Sequence, residues 1–335
     1  MIETSYDMVS VCMITYNHEK YISQAIEGIL MQHTSFPIEL VIGEDCSTDQ
    51  TRKICKWYQE KYPDIIKLLL PENNLGMMPN FLATLKACNG KYIALCEGDD
   101  YWSDPLKLQK QIDFLEKNTD YSICFHKMKI IGKTNESNKC YTNSFISDMT
   151  MSIEDLAKGN FIFSASCVFR NLRQNDIFRI DESSPVGDYV LFMNCAKFGK
   201  IMYLNQTMAV YRIHDGGIWS SKTSVENYTK WIRVIELMRD DFTQDVQILL
   251  NKQIITAIRQ LIILDNTSLS AEDKRALEKK ALDLFPDCFE LEIKSNFTLK
   301  KTLESHHSIK KLSWMLLMEI LDRFGIKRNS QNQQK

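Results

Sequence analysis

The feature that most constrains the fold lies in the first 120 residues. There, short and almost wholly apolar runs alternate with segments that carry one apolar helical stripe. Met8 to Thr15 is nearly continuous in apolar residues, as expected of a parallel strand covered on both faces. Ile22, Ala25, Ile26, Ile29 and Leu30 then recur at one-face helical spacing. Ile38 to Ile42 reads as a second strand, and Ser47, Thr48 and Asp49 can cap a helix reaching about Tyr62. Ile65 to Leu70 is a third strand, Asn80 to Cys88 lies on a helix, and Tyr92 to Cys96 is a fourth strand. Asp104-Pro105 has the character of a helix start. This order predicts an α/β fold with a doubly wound, mostly parallel sheet.

In such sheets ligands bind beyond the carboxyl ends of the strands. Thr15-Tyr16-Asn17, Glu44-Asp45 and Asp99-Asp100 all fall at those ends. Three strands delivering polar groups to one edge say more than any one cluster. Asp99 and Asp100 can hold Mn²⁺ or Mg²⁺, hard ions that take oxygen ligands and often keep phosphates among them. The plain alternative is a solvated acidic turn ahead of the next helix. Glu44 and Asp45 can accept hydrogen bonds from a base N–H and a ribose hydroxyl. Their alternative is a turn that starts the following helix.

Past Tyr121 the pattern changes. Ser122 to Ile131, Lys139 to Ile146 and Phe161 to Arg170 read as strands, Tyr189 to Phe198 as a helix, and Ile201 to Arg212 as an extended run. From about Val225 the signals are helical, and Asn329 to Lys335 is a polar tail expected to be disordered. No internal repeat is present.

Taken together, VSVCMITYNHEKYISQAIEGIL, ELVIGEDCSTDQTRKI and NNLGMMPNFLATLKACNGKYIALCEGDDYW, in this order, resemble the family 2 glycosyltransferases of GT-A fold over roughly residues 8 to 220. The resemblance implies a GT-A domain over 1–224, its nucleotide half ending near 120, with an added helical region over 225–328. It also implies inverting transfer from a nucleotide sugar, UDP-linked by preference, to a hydroxyl of a glycan or lipid-linked acceptor. Thr15, with Tyr16 and Asn17 beside it, matches the strand end that lies against the nucleotide. Asp45, next to Glu44, matches the acid on the base. Asp99 matches the residue near ribose and diphosphate, and Asp100 the metal ligand.

SPVGDYVLFMNCAKFGKIMYLNQTMAVYRIHDGGIWS resembles the family's acceptor segment, with Asp188 at the position of the catalytic base. Without the family, Asp188 reads as a helix cap. His214 matches a histidine that completes the metal site or touches the diphosphate; the plain reading is surface polarity. Gly216 to Ser220 is a candidate closing loop. Trp219 and Trp102 are candidates for stacking on a sugar or for anchoring by packing.

Two departures stand out. The family usually reads Asp-Asp-Gly-Ser where this chain has Glu44-Asp45-Cys46-Ser47, and Cys in place of Gly tightens what the backbone must do. It often reads Asp-x-Asp-Asp where this chain has Glu97-Gly98-Asp99-Asp100, which leaves Glu97 open between ligand and supporting group.

The bulk properties agree with this reading. A formal charge of -2 gives no reason to expect nucleic acid. The ten cysteines include no CxxC pair and show no framework, so a reducing, cytoplasmic setting is expected. No signal-type start and no apolar run near the ~20 residues of a membrane span is visible. Ile309 to Arg328 mixes apolar and basic residues, which suits a membrane surface, its own domain or a second copy of the chain.

Other classes fit less well. A sugar-nucleotide nucleotidyltransferase would need a Gly-rich, Arg-containing loop after the first strand. A dinucleotide oxidoreductase would need GxGxxG after Ile14. A non-catalytic sugar-binding module would need neither the acidic pair nor Asp188.

Overall fold

The computed structural model describes residues 8–132, 145–217, 223–264 and 271–284. The chain divides into two units, Met1–Ser268 and Leu269–Lys335. A helix at Ala271–Leu284 is the described element of the second unit. Several expectations fall outside the described residues: most of the 139–146 strand, Trp219 with residues 218–220, the 309–328 helix and the 329–335 tail.

In the first unit, β1 (Val9–Thr15) has parallel neighbours on both sides, β2 (Ile38–Glu44) and β4 (Tyr92–Leu95), with β3 (Ile66–Leu69) outside β2. Val9, Val11 and Met13 are fully buried, as the continuous apolar run requires. The pairing Thr15 with Glu44 levels the ends of β1 and β2, and Cys12 pairs with Leu95, so the chain leaving β4 turns beside Thr15.

Helix α1 (Ile22–Leu30) buries Ile22, Ala25, Ile26 and Ile29, the stripe seen in the sequence. Gly28 lies against the next layer: a Cβ there would stand 2.9 Å from the Trp102 carbonyl oxygen. Helices α2 (Thr51–Lys61) and α3 (Met77–Ala87) complete the crossovers. After β4 come the two-residue β5 (Tyr101–Trp102), α4 (Lys107–Lys117), β6 (Tyr121–Ile131), β7 (Met149–Met151), α5 (Ile153–Leu156), β8 (Val168–Arg170), α6 (Asp188–Ala196) and β9 (Lys200–Arg212). Sheet order is β3-β2-β1-β4-β8-β6-β9-β5, with β7 on β9. The expected α/β class with a central, mostly parallel sheet is what forms; β8 enters antiparallel to both β4 and β6.

One strand is shorter than the sequence predicts. Only Val168–Arg170 of the expected 161–170 strand joins the sheet, and Ser164–Ser166 makes a tight turn instead. The Ser166 hydroxyl donates to Phe163 O (2.6 Å), the local side-chain to backbone bond that competes with strand pairing. Helices α7 (Ser224–Met238) and α8 (Gln244–Leu264) belong to the first unit. They pack on each other, and Ile235 and Met238 of α7 and Leu250 and Ile254 of α8 are buried. A reciprocal capping box between Thr223 and Glu226 starts α7.

The eight described cysteines are free thiols. Among the described residues, no helix is long and apolar enough to cross a membrane.

Candidate active site

The site is built where β1, β2 and β4 end and β9 returns. Gly98 N donates to Ile14 O (3.0 Å), which lays the Glu97–Asp100 turn across the end of β1. Only hydrogen fits at Gly98, because a Cβ would stand 2.5 Å from Thr15 Oγ1. β5 then pairs with β9, Tyr101 opposite Val210, so the end of β9 carries Tyr211, Arg212 and His214 back to the acidic turn.

Asp99 is held by two histidines. His214 Nε2 lies 3.0 Å from its Oδ2, and His18 Nε2 lies 3.7 Å from the same oxygen. Burial pushes the Asp99 carboxyl up, but the His214 hydrogen bond and the charge of His18 outweigh it and hold the pKa below the ordinary value. Burial lowers the pKa of His18, although Asp99 pulls it back up. His18 also reaches Thr15 Oγ1 through Nδ1 (3.2 Å). No motif in the sequence marks His18, although it stands three residues beyond Thr15.

Asp100 is nearly closed off, 4% exposed, and its Oδ1 accepts the Arg212 N–H at 2.9 Å. His214 therefore meets Asp99, and Asp100 stands next to it in the turn. The Arg212 guanidinium donates to Asp99 O and Gln24 Oε1 and packs 4.3 Å from the Tyr101 ring centroid. That bracket fixes the turn. Burial, then the charges of Asp99 and Glu97, raises the Asp100 pKa well above the carboxylate range. Burial followed by Asp99 takes Glu97 to about 8.

Asp188 opens α6, and its neighbour Gly187 is the capping residue. The simple capping alternative therefore does not describe it. Asp188 Oδ2 accepts the Ser164 hydroxyl at 3.1 Å, and Oδ1 accepts the Tyr189 N–H at 2.7 Å. Ser164 also neighbours Glu97 and favours its ionised form, so the tight turn that replaced the expected strand sits between Asp188 and the acidic turn. Burial raises the Asp188 pKa. Tyr211 registers the convergence. Burial, then the charges of Asp100, Asp99, Glu97 and Asp188, all push its phenol up.

The family model described as Glycosyl transferase family 2 matches residues 10–177, half of the chain. The chain belongs to glycosyl transferase family 2. An uncharacterised protein of Mycobacterium tuberculosis is 39% identical over 214 residues, covering 64% of this chain and 61% of that protein. The match thus spans under two thirds of the mycobacterial relative. A putative teichuronic acid biosynthesis glycosyltransferase of Bacillus subtilis, TuaG, is 28% identical over 70% of this chain and 90% of its own. Among solved structures, S. aureus TarS with UDP-GlcNAc superposes at TM-score 0.61 and 20% identity, covering 83% of this chain and 80% of that one. A Pyrobaculum calidifontis mannosyltransferase with GDP-Man and Mn²⁺ superposes at 0.52 and 12% identity, covering 85% and 82%. The fold is GT-A.

Within this family 2 domain the remaining expected residues divide sharply. Asn17 is at the ligand edge and sits at φ 56, its Oδ1 accepting the Thr48 N–H at 2.8 Å. Tyr16 is 43% exposed at the end of β1. Asp45, 3% exposed, straps a turn: its oxygens accept the N–H groups of Leu75 (2.7 Å) and Gly76 (3.0 Å).

Two assignments need correction. The Glu44 side chain has 0% exposure, pairs with Arg52 and accepts the Ser47 N–H at 2.7 Å, so it is an interior anchor and not a nucleotide contact. Trp102 is 1% exposed, donates Nε1–H to Ala165 O at 2.9 Å and lies under Lys107, so it anchors by packing and cannot stack on a sugar.

Replacing Glu44 by Gln is expected to lower the urea-denaturation free energy by about 2 kcal/mol, because Arg52 loses its partner but keeps some solvent. Cys46 does take the left-handed conformation, φ 57, where the family usually has Gly. Cys46→Val should cost about 1–2 kcal/mol by the same denaturation assay, since a branched Cβ fits that region poorly, while Cys46→Gly should not.

Proposed function

We propose that this chain transfers a sugar from a nucleoside-diphosphate donor, UDP-linked by preference, to an acceptor hydroxyl with inversion. The observation that carries the reading is the approach of Asp188, from a separate helix, to the Glu97–Asp100 turn through Ser164 and Tyr211. Binding alone would not require a buried, proton-hungry carboxylate opposite an acidic turn.

In this reading Thr15, Asn17 and the turn strapped by Asp45 form the nucleoside wall, and exposed Tyr16 offers a face to the base. Asp45 keeps one lone pair on each oxygen for a base N–H. Asp99 and Asp100, with His214 on Asp99, would hold a divalent cation. Among the described residues no group of three or more His, Cys, Asp or Glu could hold one alone. The donor set fits an ion that completes its shell with diphosphate oxygens. Such an ion would stabilise the negative charge of the departing diphosphate.

Asp188 takes the proton of the acceptor hydroxyl while that oxygen attacks the anomeric carbon. The bond to the diphosphate breaks on the opposite face in the same step, so the configuration inverts. The acceptor belongs, in this proposal, to surface-polysaccharide synthesis; the B. subtilis relative TuaG is named for teichuronic acid biosynthesis.

The test is nucleoside-diphosphate release from UDP-glucose, UDP-N-acetylglucosamine, UDP-galactose and GDP-mannose, with Mn²⁺ or EDTA. Release from one donor, abolished by EDTA, is the expected result. Binding without release from any donor, in the presence of glycan acceptors, would favour the non-catalytic module instead.

A further inference from the structure

We propose that Gln253 and Trp231, on helices beyond the matched family region, are positioning residues for Asp188 and act through Tyr189. This rests on Asp188 being the base.

Tyr189 is the residue after Asp188 and is fully buried. Its hydroxyl donates to Leu156 O (3.0 Å) and accepts from Gln253 Nε2 (2.8 Å). Its ring stacks on Trp231 with centroids 4.8 Å apart and planes 25° apart. Gln253 Nε2 also donates to Ala157 O at 2.7 Å, while its Oε1 accepts the Trp231 indole N–H at 2.9 Å. Both amide hydrogens and the carbonyl are thus engaged, and the reversed amide would set an NH₂ against the indole N–H. One glutamine therefore ties α5, α7 and α8 to the first turn of α6.

The other side of that turn is equally restricted. A Cβ on Gly187 would stand 2.7 Å from Phe81 on α3 and 3.1 Å from Met78. Asp188 and Tyr189 share a peptide unit, and the Tyr189 N–H donates to Asp188 Oδ1, so a shift of the backbone that carries the Tyr189 ring carries the carboxylate with it. Catalytic groups misplaced by about 1 Å can lose a hundredfold in rate. The network holds the base within that tolerance from outside the nucleotide half.

The experiment uses the full chain carrying Tyr189→Phe, Gln253→Leu or Trp231→Phe, with Asp188→Asn alongside. Turnover is measured with the donor from the panel above. A second readout needs no donor: the rate at which a water-soluble carbodiimide labels the Asp188 peptide, read by mass spectrometry across pH.

Gln253→Leu and Tyr189→Phe are expected to lower kcat about tenfold with donor KM unchanged, and to change the labelling rate and its pH midpoint. Trp231→Phe keeps a ring on Tyr189 and should lose less. Should Gln253→Leu fail to fold, Tyr189→Phe removes a single oxygen and still decides the matter. Folded variants whose kcat and labelling profile both match the unmodified chain overturn the proposal. Full activity in Asp188→Asn would instead remove the base reading, whatever the labelling shows.

Discussion

Asp188→Asn is expected to keep its donor and lose its transfer, with kcat down by about three orders of magnitude and donor Kd within about twofold. The fold should tolerate the change. An asparagine oxygen can still accept from the Ser164 hydroxyl or the Tyr189 N–H, which lie 3.1 and 2.7 Å from the two carboxylate oxygens. What disappears is the capacity to take a proton as the acceptor oxygen attacks. A thousandfold loss corresponds to about 4 kcal/mol of transition-state stabilisation.

The pH profile of the unmodified chain follows from the same residue. Only the ionised carboxylate accepts a proton, so kcat/KM falls as pH drops through the Asp188 pKa. Burial raises that pKa, while the Tyr189 N–H and the Ser164 hydroxyl pull it partly back. The acid limb should therefore lie above the ordinary aspartate value of about 3.9. Steady-state kinetics beside isothermal calorimetry separates the outcomes. If donor binding vanishes together with activity, Asp188 is a structural support.

Asp100→Asn should leave a folded protein that no longer binds its donor in a metal-dependent way, with affinity in Mn²⁺ reduced by about a hundredfold or more. Three acids occur within four residues here, and burial and mutual repulsion raise the pKa of two of them, Glu97 and Asp100. Like charges so close cannot all ionise without a counter-charge. Arg212 supplies part of it through its guanidinium, held on Asp99 O, while its backbone N–H bonds Asp100. A divalent ion with the donor diphosphate would supply the rest. Asparagine keeps the Arg212 N–H bond through its own oxygen but brings no charge. Calorimetry with Mn²⁺ and with EDTA is the measurement. Equal donor affinity in both, for the unmodified chain, removes the metal from the proposal.

The sequence alone determined the sheet centre and the edge at which its parallel strands end. Apolar periodicity is a local property, so continuous runs such as Met8 to Thr15 and the Ile22-Ala25-Ile26-Ile29 stripe announce strand and helix without knowledge of neighbours. Once four such units alternate, the carboxyl ends must share an edge, and Thr15, Asp45 and Asp99 are committed to it. Which carboxylate does what was decided only in three dimensions. Glu44 and Asp45 are adjacent in sequence and alike in chemistry, yet one meets Arg52 and the other the amides of Leu75 and Gly76. Trp102 went to the interior because Ala165 O and Lys107 awaited it. His18 joined the site because Asp99, 81 residues later in the chain, stands 3.7 Å away. Burial and pairing depend on partners far apart in the chain, and no short motif carries that information.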